Sequence, residues 1–242
     1  LSGAVAPDSR TVVSAEGANQ SATGSCQDLA GNVATDTQAG INVDKTPPSI
    51  VPSRSPQPNA SGWNNADVTV SFACADTLSG VSACSPAQVL SADGVGQSAA
   101  GTATDNAGNS VSATLGGINI DKTPPVITCS ASPTTMWPPN GKLVPVSVNV
   151  HVSDTLSGVA GFVLASVTSS EADSANGSDP PGDIEDFVIG TADTAGWLRA
   201  ERLGSGPGRV YRLQYVARDQ ADNSASCLVE IEVPHDQRRG ST

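Results

Sequence analysis

The sequence predicts an all-β fold of the sandwich type. Short apolar runs alternate with polar residues, as they do in strands that bury one face. Glycine and proline, with 24 and 17 residues in a chain of 242, interrupt these runs together with Asn and Asp. No segment repeats its apolar residues with the spacing of a helix. Short strands with a turn signal about every 8–12 residues are typical of immunoglobulin-like sandwiches.

Period-two alternation locates the clearest strands. Apolar residues at every second position indicate a strand at 68–74 and another at 111–115, after a turn at 105–109. Four valines share one face of 146–152, and Tyr, Leu and Ala share one face of 211–217. Each pattern predicts a half-buried strand whose alternate side chains face a core.

An internal repeat sets the organisation of the chain. Residues 1–50 (the first copy) align without a gap with residues 78–127 (the second copy), and 26 of the 50 positions are identical. Both copies end in the unit DKTPP, at 44–48 (the first linker) and 121–125 (the second linker). Because the residue before proline is pushed towards extended geometry, these linkers are expected to mark the ends of domains.

A third, more divergent copy follows, because VSDTLSGVAG at 152–161 is similar to CADTLSGVSA at 74–83, and ARDQADNSAS at 217–226 is similar to TATDNAGNSV at 102–111. We therefore predict tandem immunoglobulin-like β-sandwiches, the first one truncated, with its missing part expected upstream of Leu1. The expected domains are the C-terminal part of a truncated repeat at 1–48, a complete repeat at 49–126 and an enlarged module at 127–242.

Several motifs resemble those of known repeats. DTLSGV at 76–81, the run that ends in TDNAGNS at 110, and INIDKTPP at 118–125 resemble the bacterial immunoglobulin-like repeats of extracellular and surface proteins of the adhesin type. The segment TMWPPNGKLVPVSVNVHVSD at 135–154 and VPHDQ at 233–237 resemble a bacterial surface module that often closes such proteins. The resemblance implies an extracellular or cell-surface location and a spacing or presenting role. It also implies calcium between domains, since some adhesin repeats are stiffened by calcium at Asp-rich linkers.

Seven aspartates are candidate calcium ligands, because calcium binds six to eight carboxylate, carbonyl or water oxygens. They open D-x-A-G-N-type turns, precede T-L-S-G turns or head the two linkers. The linker aspartates are expected to meet loop oxygens where one sandwich ends beside the next. Asp in a turn also accepts hydrogen bonds from its own backbone, so the two interpretations stay open. The seven are Asp28, Asp44, Asp76, Asp105, Asp121, Asp154 and Asp219.

A second acidic cluster lies in 169–187, an insertion with no counterpart in the second copy. It lacks the Asp-x-Asp-x-Asp-Gly order of an EF-hand loop. The insertion is either a solvated acidic loop or a recognition loop for a glycan or protein partner. Its candidate site residues are Glu171, Asp173, Asp179 and Asp183.

The five cysteines show no zinc-type spacing and predict disulfides, hence an oxidising compartment. Cys74 and Cys84 bracket one turn, and Cys129 and Cys227 lie near the first and last strands of the third module. Cys26 is expected to find its partner outside this chain. A buried free thiol is the alternative for each.

Composition argues against several functions. Acidic residues outnumber basic ones 24 to 12, which disfavours nucleic acid as a partner. No apolar run approaches the roughly 20 residues of a membrane helix. His151 and His235 lie in no nucleophile-base motif. The alternating charges of the hairpin, Arg199, Glu201, Arg209 and Arg212, are expected on an outer face. No enzyme activity is expected.

The sequence therefore favours a structural stalk of a large secreted or surface bacterial protein, with neighbouring repeats as partners and calcium as the one expected cofactor. Two alternatives stay open. The C-terminal module recognises a glycan or protein, or the chain assembles into an extracellular fibre (filament) in which a strand from elsewhere completes the first domain.

Overall fold

The computed structural model describes residues 3–5, 11–173 and 182–236, and every regular element within them is a β-strand. The strands are β1 (Ala4–Val5), β2 (Gly17–Asp28), β3 (Val33–Val43), β4 (Ser49–Ser55), β5 (Val68–Ala75), β6 (Val81–Cys84), β7 (Gln88–Leu90), β8 (Gly94–Asp105), β9 (Ser110–Ile120), β10 (Val126–Ser132), β11 (Leu143–Ser153), β12 (Val159–Ser169), β13 (Ile184–Glu185), β14 (Ala195–Arg199), β15 (Gly208–Asp219) and β16 (Ser224–Pro234).

These strands form five antiparallel sheets, in the orders β1-β2-β3, β4-β5-β7, β6-β8-β9, β10-β11-β14-β13 and β12-β15-β16. The chain divides into two compact units. Unit 1 takes in residues 1–56, 68–90 and 96–118, and unit 2 takes in 57–67, 91–95 and 119–242. The all-β prediction is confirmed, and the four strands read from period-two alternation fall in β5, β9, β11 and β15.

Unit 1 contains a thin core of small side chains. Val68, Ala103 and Ile118 are fully buried. Sheet β4-β5-β7 lies against sheet β6-β8-β9, so that a Cβ built on Gly101 of β8 would come within 2.7 Å of the Phe72 ring of β5. Glycine at this point lets the two sheets approach closely.

Unit 2 holds the larger core. The inward residues of β15, among them Tyr211, Leu213 and Tyr215, are fully buried against Leu198 of the opposite sheet. The Tyr215 ring meets Phe162 edge to face, with centroids 6.1 Å apart. Packing of β10-β11-β14-β13 on β12-β15-β16 gives the predicted sandwich.

A disulfide ties each pair of packed sheets together. Cys74 and Cys84 join β5 to β6, and Cys129 and Cys227 join β10 to β16. In both bridges the Cα atoms lie 6.0 Å apart. These are the two pairs that the sequence predicted. Cys26 is a free, exposed thiol on β2.

None of the described residues forms a helix that is long and apolar enough to cross a membrane.

Candidate metal centres

Six of the seven candidate aspartates come together in two groups of three. One carboxylate oxygen from each member lies within 4.8 Å of those of the other two. The first Asp triad is Asp44, Asp76 and Asp105, and the second Asp triad is Asp121, Asp154 and Asp219. Each triad combines one linker aspartate with two loop aspartates that lie further along the chain.

Strand ends place all six side chains. The linker aspartates directly follow β3 and β9, because the last residues of those strands are Val43 and Ile120. Two loop aspartates follow β5 and β11, and the other two are the final residues of β8 and β15. Each triad therefore gathers three strand ends, where backbone groups leave the sheet ladder and polar side chains are needed.

The D-x-A-G-N-type turns shape the third member of each triad. Asn109 donates from its backbone N–H to Asp105 Oδ1 and from its side chain to Asp105 Oδ2, both at 2.8 Å. Asn223 makes the same two bonds to Asp219, at 2.9 and 2.8 Å. Each of these carboxylates thus caps its own turn while it also faces two other carboxylates, so the turn cap does not prevent a role as a metal ligand.

The T-L-S-G turns orient the second member. Gly80 donates its N–H to Asp76 Oδ1 at 2.7 Å, and Gly158 donates to Asp154 Oδ1 at 2.6 Å. Both glycines have positive φ, 82° and 84°, a conformation that favours glycine. The hydrogen bonds named here fall on Oδ1, which leaves Oδ2 of each carboxylate for another ligand.

The first linker aspartate binds residues of the second copy. Asp44 Oδ2 accepts from the Ser79 N–H at 3.1 Å, and its carbonyl oxygen accepts from the Asn109 side chain at 3.2 Å. Hydrogen bonding by Ser79, more than the opposing effect of burial, holds the pKa of the Asp44 carboxyl below its ordinary value. Asp44 is therefore held as a carboxylate.

The second linker repeats this arrangement one copy later. Asp121 Oδ2 accepts from the Ser157 N–H at 3.0 Å, and its carbonyl accepts from the Asn223 side chain at 2.9 Å. The Asp121 N–H donates in turn to the carbonyl of Asn64 at 2.9 Å. Asp121 thus bonds to the chain before it and to the turns after it.

Lys45 and Thr46 bind the first linker to residues that precede it in the chain. The Lys45 N–H donates to Glu16 Oε1 at 2.6 Å, and the Thr46 hydroxyl donates to the same oxygen at 3.0 Å. Lys45 Nζ also donates to the carbonyl of Ser14. The linker is therefore fixed to a segment about 30 residues before it.

The same bonds recur at the second linker. The Lys122 N–H donates to Asp93 Oδ1 at 3.2 Å, and the Thr123 hydroxyl donates to Asp93 Oδ2 at 3.0 Å. Lys122 Nζ donates to the Ser91 carbonyl at 2.6 Å and pairs with Asp67 at 2.8 Å. The hydrogen bond to Asp67 raises the pKa of Lys122. Sequence reasoning missed these partners, although the 77-residue register aligns the carboxylates that hold the two linkers.

Neither triad has a basic partner among the described residues. No Lys or Arg in that part of the chain forms a salt bridge with any of the six carboxylates. Calcium binds oxygens at about 2.4 Å, which places two ligands on opposite sides of the ion about 4.8 Å apart. Oxygens within this distance of one another can share one cation of calcium's size. Three carboxylates so close would repel one another without a cation.

The triads differ in burial. Asp121 and Asp219 are both fully buried, whereas in the first triad only Asp105, 2% exposed, is buried. Asp44, like Asp76, is half-buried. The uncompensated charge therefore costs more in the second triad, because repulsion is screened less away from water.

Asp28, the seventh candidate, belongs to neither triad. It ends β2 and caps its turn as its counterparts do, with the Asn32 N–H donating to Oδ1 at 2.9 Å. In the 77-residue register the counterparts of Asp44 and Asp76 fall before Leu1. Asp28 therefore provides an internal control for the turn alone.

The second acidic cluster has basic partners. Glu171 and Asp183 form ion pairs with Arg209, in the first case at 3.3 Å. Asp173 accepts from the Gly182 N–H at 3.1 Å, and Asp179 lies outside the described residues. The Arg209 guanidinium thus supplies at Glu171 and Asp183 the positive charge that a metal ion would otherwise supply.

The outer-face prediction is wrong for Arg199, Glu201 and Arg209, whereas the Arg212 side chain is 46% exposed as expected. Arg209 is only 1% exposed, and Arg199 and Glu201 are 8% exposed. Arg209 donates to Glu201 at 3.4 Å and to the Tyr211 hydroxyl at 3.1 Å. Burial works against its charge, but hydrogen bonds to Tyr211 and Asp183 more than offset this and raise the pKa of Arg209. We call Glu171, Asp183, Glu201 and Arg209 the Arg209 cluster.

Comparison with known proteins gives no family. No family model matches the chain, and no curated protein matches it. Among solved structures, protocadherin gamma B2 extracellular cadherin domains 1–5 share 15% identity over 92% of this chain and 47% of that one, with a TM-score of 0.33. A tetra-tandem repeat in the extending region of a large adhesion protein shares 16% identity over 89% of this chain and 56% of that one, with a TM-score of 0.29.

The chain spans about half the length of these structures. The superpositions are loose, so the sandwich fold and the triads rest on the sheets and contacts described above.

Proposed function

We propose that the chain is a non-catalytic spacer region of a large secreted or cell-surface bacterial protein of the adhesin type, with calcium rigidifying its linkers. The observation that carries this proposal is the composition of the two Asp triads. Each joins the first residue of a DKTPP linker to two loops of the repeat that follows. A cation bound there fixes the linker to the next repeat.

Calcium suits the triads better than other common ions. Their charged donors are carboxylates, which are ligands for hard cations, and neither His nor Cys belongs to either group. Water and backbone carbonyls would complete the six to eight ligands that calcium takes. Magnesium demands near-ideal octahedral geometry and keeps more of its waters, so it suits a gathered carboxylate site less well.

The linkers support rigid spacing even before a metal binds. Lys45 and Thr46 hold the first linker to the residues before it, while Asp44 holds it to the turns after it. The Pro-Pro pair restricts the backbone that connects the two sides. Rotation at the linker would break hydrogen bonds on one side or the other.

The two disulfides support the proposed extracellular location. Disulfides persist in oxidising environments outside the cytosol. Each of the two bridges joins a pair of packed sheets, and unit 1 has a core too thin to be very stable without one. The division into domains 1–48, 49–126 and 127–242 belongs to the same proposal, because it follows the linkers.

Solution scattering tests this function. We expect calcium to narrow the distribution of interatomic distances of the chain, because both linkers become fixed. The double variant Asp44→Asn/Asp121→Asn should lose this response, whereas the control Asp28→Asn should keep it. Identical scattering curves in calcium and in chelator would contradict the calcium-stiffened spacer.

A further inference from the structure

The β2–β3 pair occupies the same positions of the first copy as β8–β9 does of the second copy, but it is not buried in the same way. Strands Gly17–Asp28 and Gly94–Asp105 align at the 77-residue offset. In β8 the inward residues Ala99, Gly101 and Ala103 are all buried, Ala99 being only 3% exposed.

The equivalent residues of β2 are open to solvent. Ala22 and Gly24 are half-buried and Cys26 is exposed. Their Cα partners on β3, Gln38, Asp36 and Ala34, are all exposed. The six residues line one continuous depression on this face.

The hairpin β4–β5, which precedes the second copy in the chain, covers the corresponding face of β8–β9. Phe72 of β5 lies over Gly101 so closely that a Cβ there would come within 2.7 Å of its ring. The Cys74–Cys84 bridge ties β5 to the covered sheet. The residues that fill this role in unit 1 thus come from 49–75, immediately before the point at which the second copy begins.

The first copy keeps the features that such a cover requires. Gly24 stands at the position of Gly101, although glycine weakens the interior of a strand. Close approach of another backbone or an aromatic ring accounts for a glycine there. Asp36 and Gln38 replace Ala113 and Leu115 of the second copy, so the cover must present hydrogen-bond donors at two positions.

We propose that the β2–β3 face is the receiving half of a sandwich, completed by a β-hairpin of the β4–β5 type from the same polypeptide. The 77-residue register places this hairpin directly ahead of Leu1. It seats an aromatic side chain over Gly24, buries Cys26 and offers donors to Asp36 and Gln38. The proposal does not depend on calcium.

The test extends the full chain at its N-terminus with a copy of residues 49–77 in which the copied Cys74 is alanine. Cys26 is the free thiol of the structure, so its reaction rate with a thiol reagent reports on the cover. We expect the rate to fall at least tenfold relative to the unextended chain. A scrambled extension should leave the rate unchanged, and replacing the copied Phe72 by alanine should restore most of it.

A second variant covers the case in which Asp36 and Gln38 prevent this particular hairpin from docking. Asp36→Ala/Gln38→Leu gives the face the residues of the second copy, and protection should then appear in the extended chain. Unchanged Cys26 reactivity in both extended forms would overturn the proposal. Protection that appears in the unextended chain with rising concentration and a doubled mass would also overturn it, in favour of another molecule of the protein.

Discussion

Two clusters of three carboxylates lie in unit 2, and they differ in what neutralises them. Glu171, Asp183 and Glu201 surround the buried guanidinium of Arg209. The second Asp triad is equally buried in two of its three members, yet none of its carboxylates has a salt bridge within the described chain. The Arg209 cluster thus contains its own cation, whereas the proposed function assigns the second Asp triad a calcium ion from solution.

The comparison explains why one chain uses two chemistries. The Arg209 cluster fixes the insertion to the body of the module permanently, because a covalently attached cation cannot leave. The triads lie where linkers meet turns, and under the proposed function a diffusible cation would add to the hydrogen bonds that already hold each linker. Under that proposal charge compensation is constitutive in one place and conditional in the other.

The largest effect is expected from removing the resident cation. Arg209→Met removes a cation shared by Glu171, Asp183 and Glu201 and leaves Asp183 only its longer pair with Arg199 at 3.6 Å. Breaking a buried pair in this way costs about 3–5 kcal/mol. Urea unfolding measures the loss. The control is Arg212→Met, whose exposed pair with Glu230 at 2.8 Å should contribute about 0–1 kcal/mol. A cost at Arg209 no larger than that at Arg212 would break the comparison.

Removing calcium should have the next largest effect. At free calcium 100-fold above Kd each occupied site adds about 2.7 kcal/mol to the free energy of unfolding. A thermal scan in chelator should therefore melt earlier than one in calcium, with the double variant Asp44→Asn/Asp121→Asn insensitive to the difference. Equal melting temperatures of the parent protein in both conditions would argue against conditional compensation.

Asp121→Asn should have opposite effects with and without calcium. In chelator it removes one of three mutually repelling charges and so two repulsions, each of about 3 kcal/mol at about 5 Å and an effective dielectric constant near 20, which should raise the free energy of unfolding. In calcium it removes a ligand and should destabilise. Asp44→Asn should show the same reversal with a smaller amplitude, since Asp44 is less buried. Destabilisation in both conditions would show that Asp121 acts as a structural hydrogen-bond acceptor.

The smallest effect is a spectroscopic one at two buried tyrosines of the unit 2 core. Burial raises the pKa of Tyr211 and of Tyr215 to about 12. These are the two tyrosines of the chain, so phenolate absorbance should appear near pH 12 in the folded protein and near pH 10 after unfolding. The neutral phenols stabilise the fold fully below pH 10, and this contribution is lost as the pH rises through 12. Calcium should leave the titration unchanged, and a folded-state titration near pH 10 would contradict the buried core.

Much of the fold was readable because repeats and period-two alternation depend on local sequence. Apolar residues at every second position of 68–74 and 211–217 predicted which side chains share a face of each strand. The cysteine spacing predicted both disulfides. Which face lies inside depends on the opposite sheet. Arg209 was therefore predicted to face solvent, although alternation along β15 puts it on the same inward face as Tyr211, Leu213 and Tyr215.

The triads were only partly readable. The seven aspartates stood out because they occupy equivalent turns, and a meeting of linker and loop residues was expected. Which three would meet depends on strand ends brought together by the sheets, over separations such as the 65 residues between Asp154 and Asp219. Asp219, for example, comes from the third copy to join Asp121 of the second linker. The roles of Lys45 and Lys122 were missed because lysine in a linker usually indicates only a solvated surface.

Calorimetric titration of the full chain with calcium tests the central claim most directly. We predict two calcium ions bound per chain, one in each of Asp44→Asn and Asp121→Asn, none in the double variant and two in the control Asp28→Asn. Absence of binding, or binding that survives unchanged in the double variant, would contradict the account.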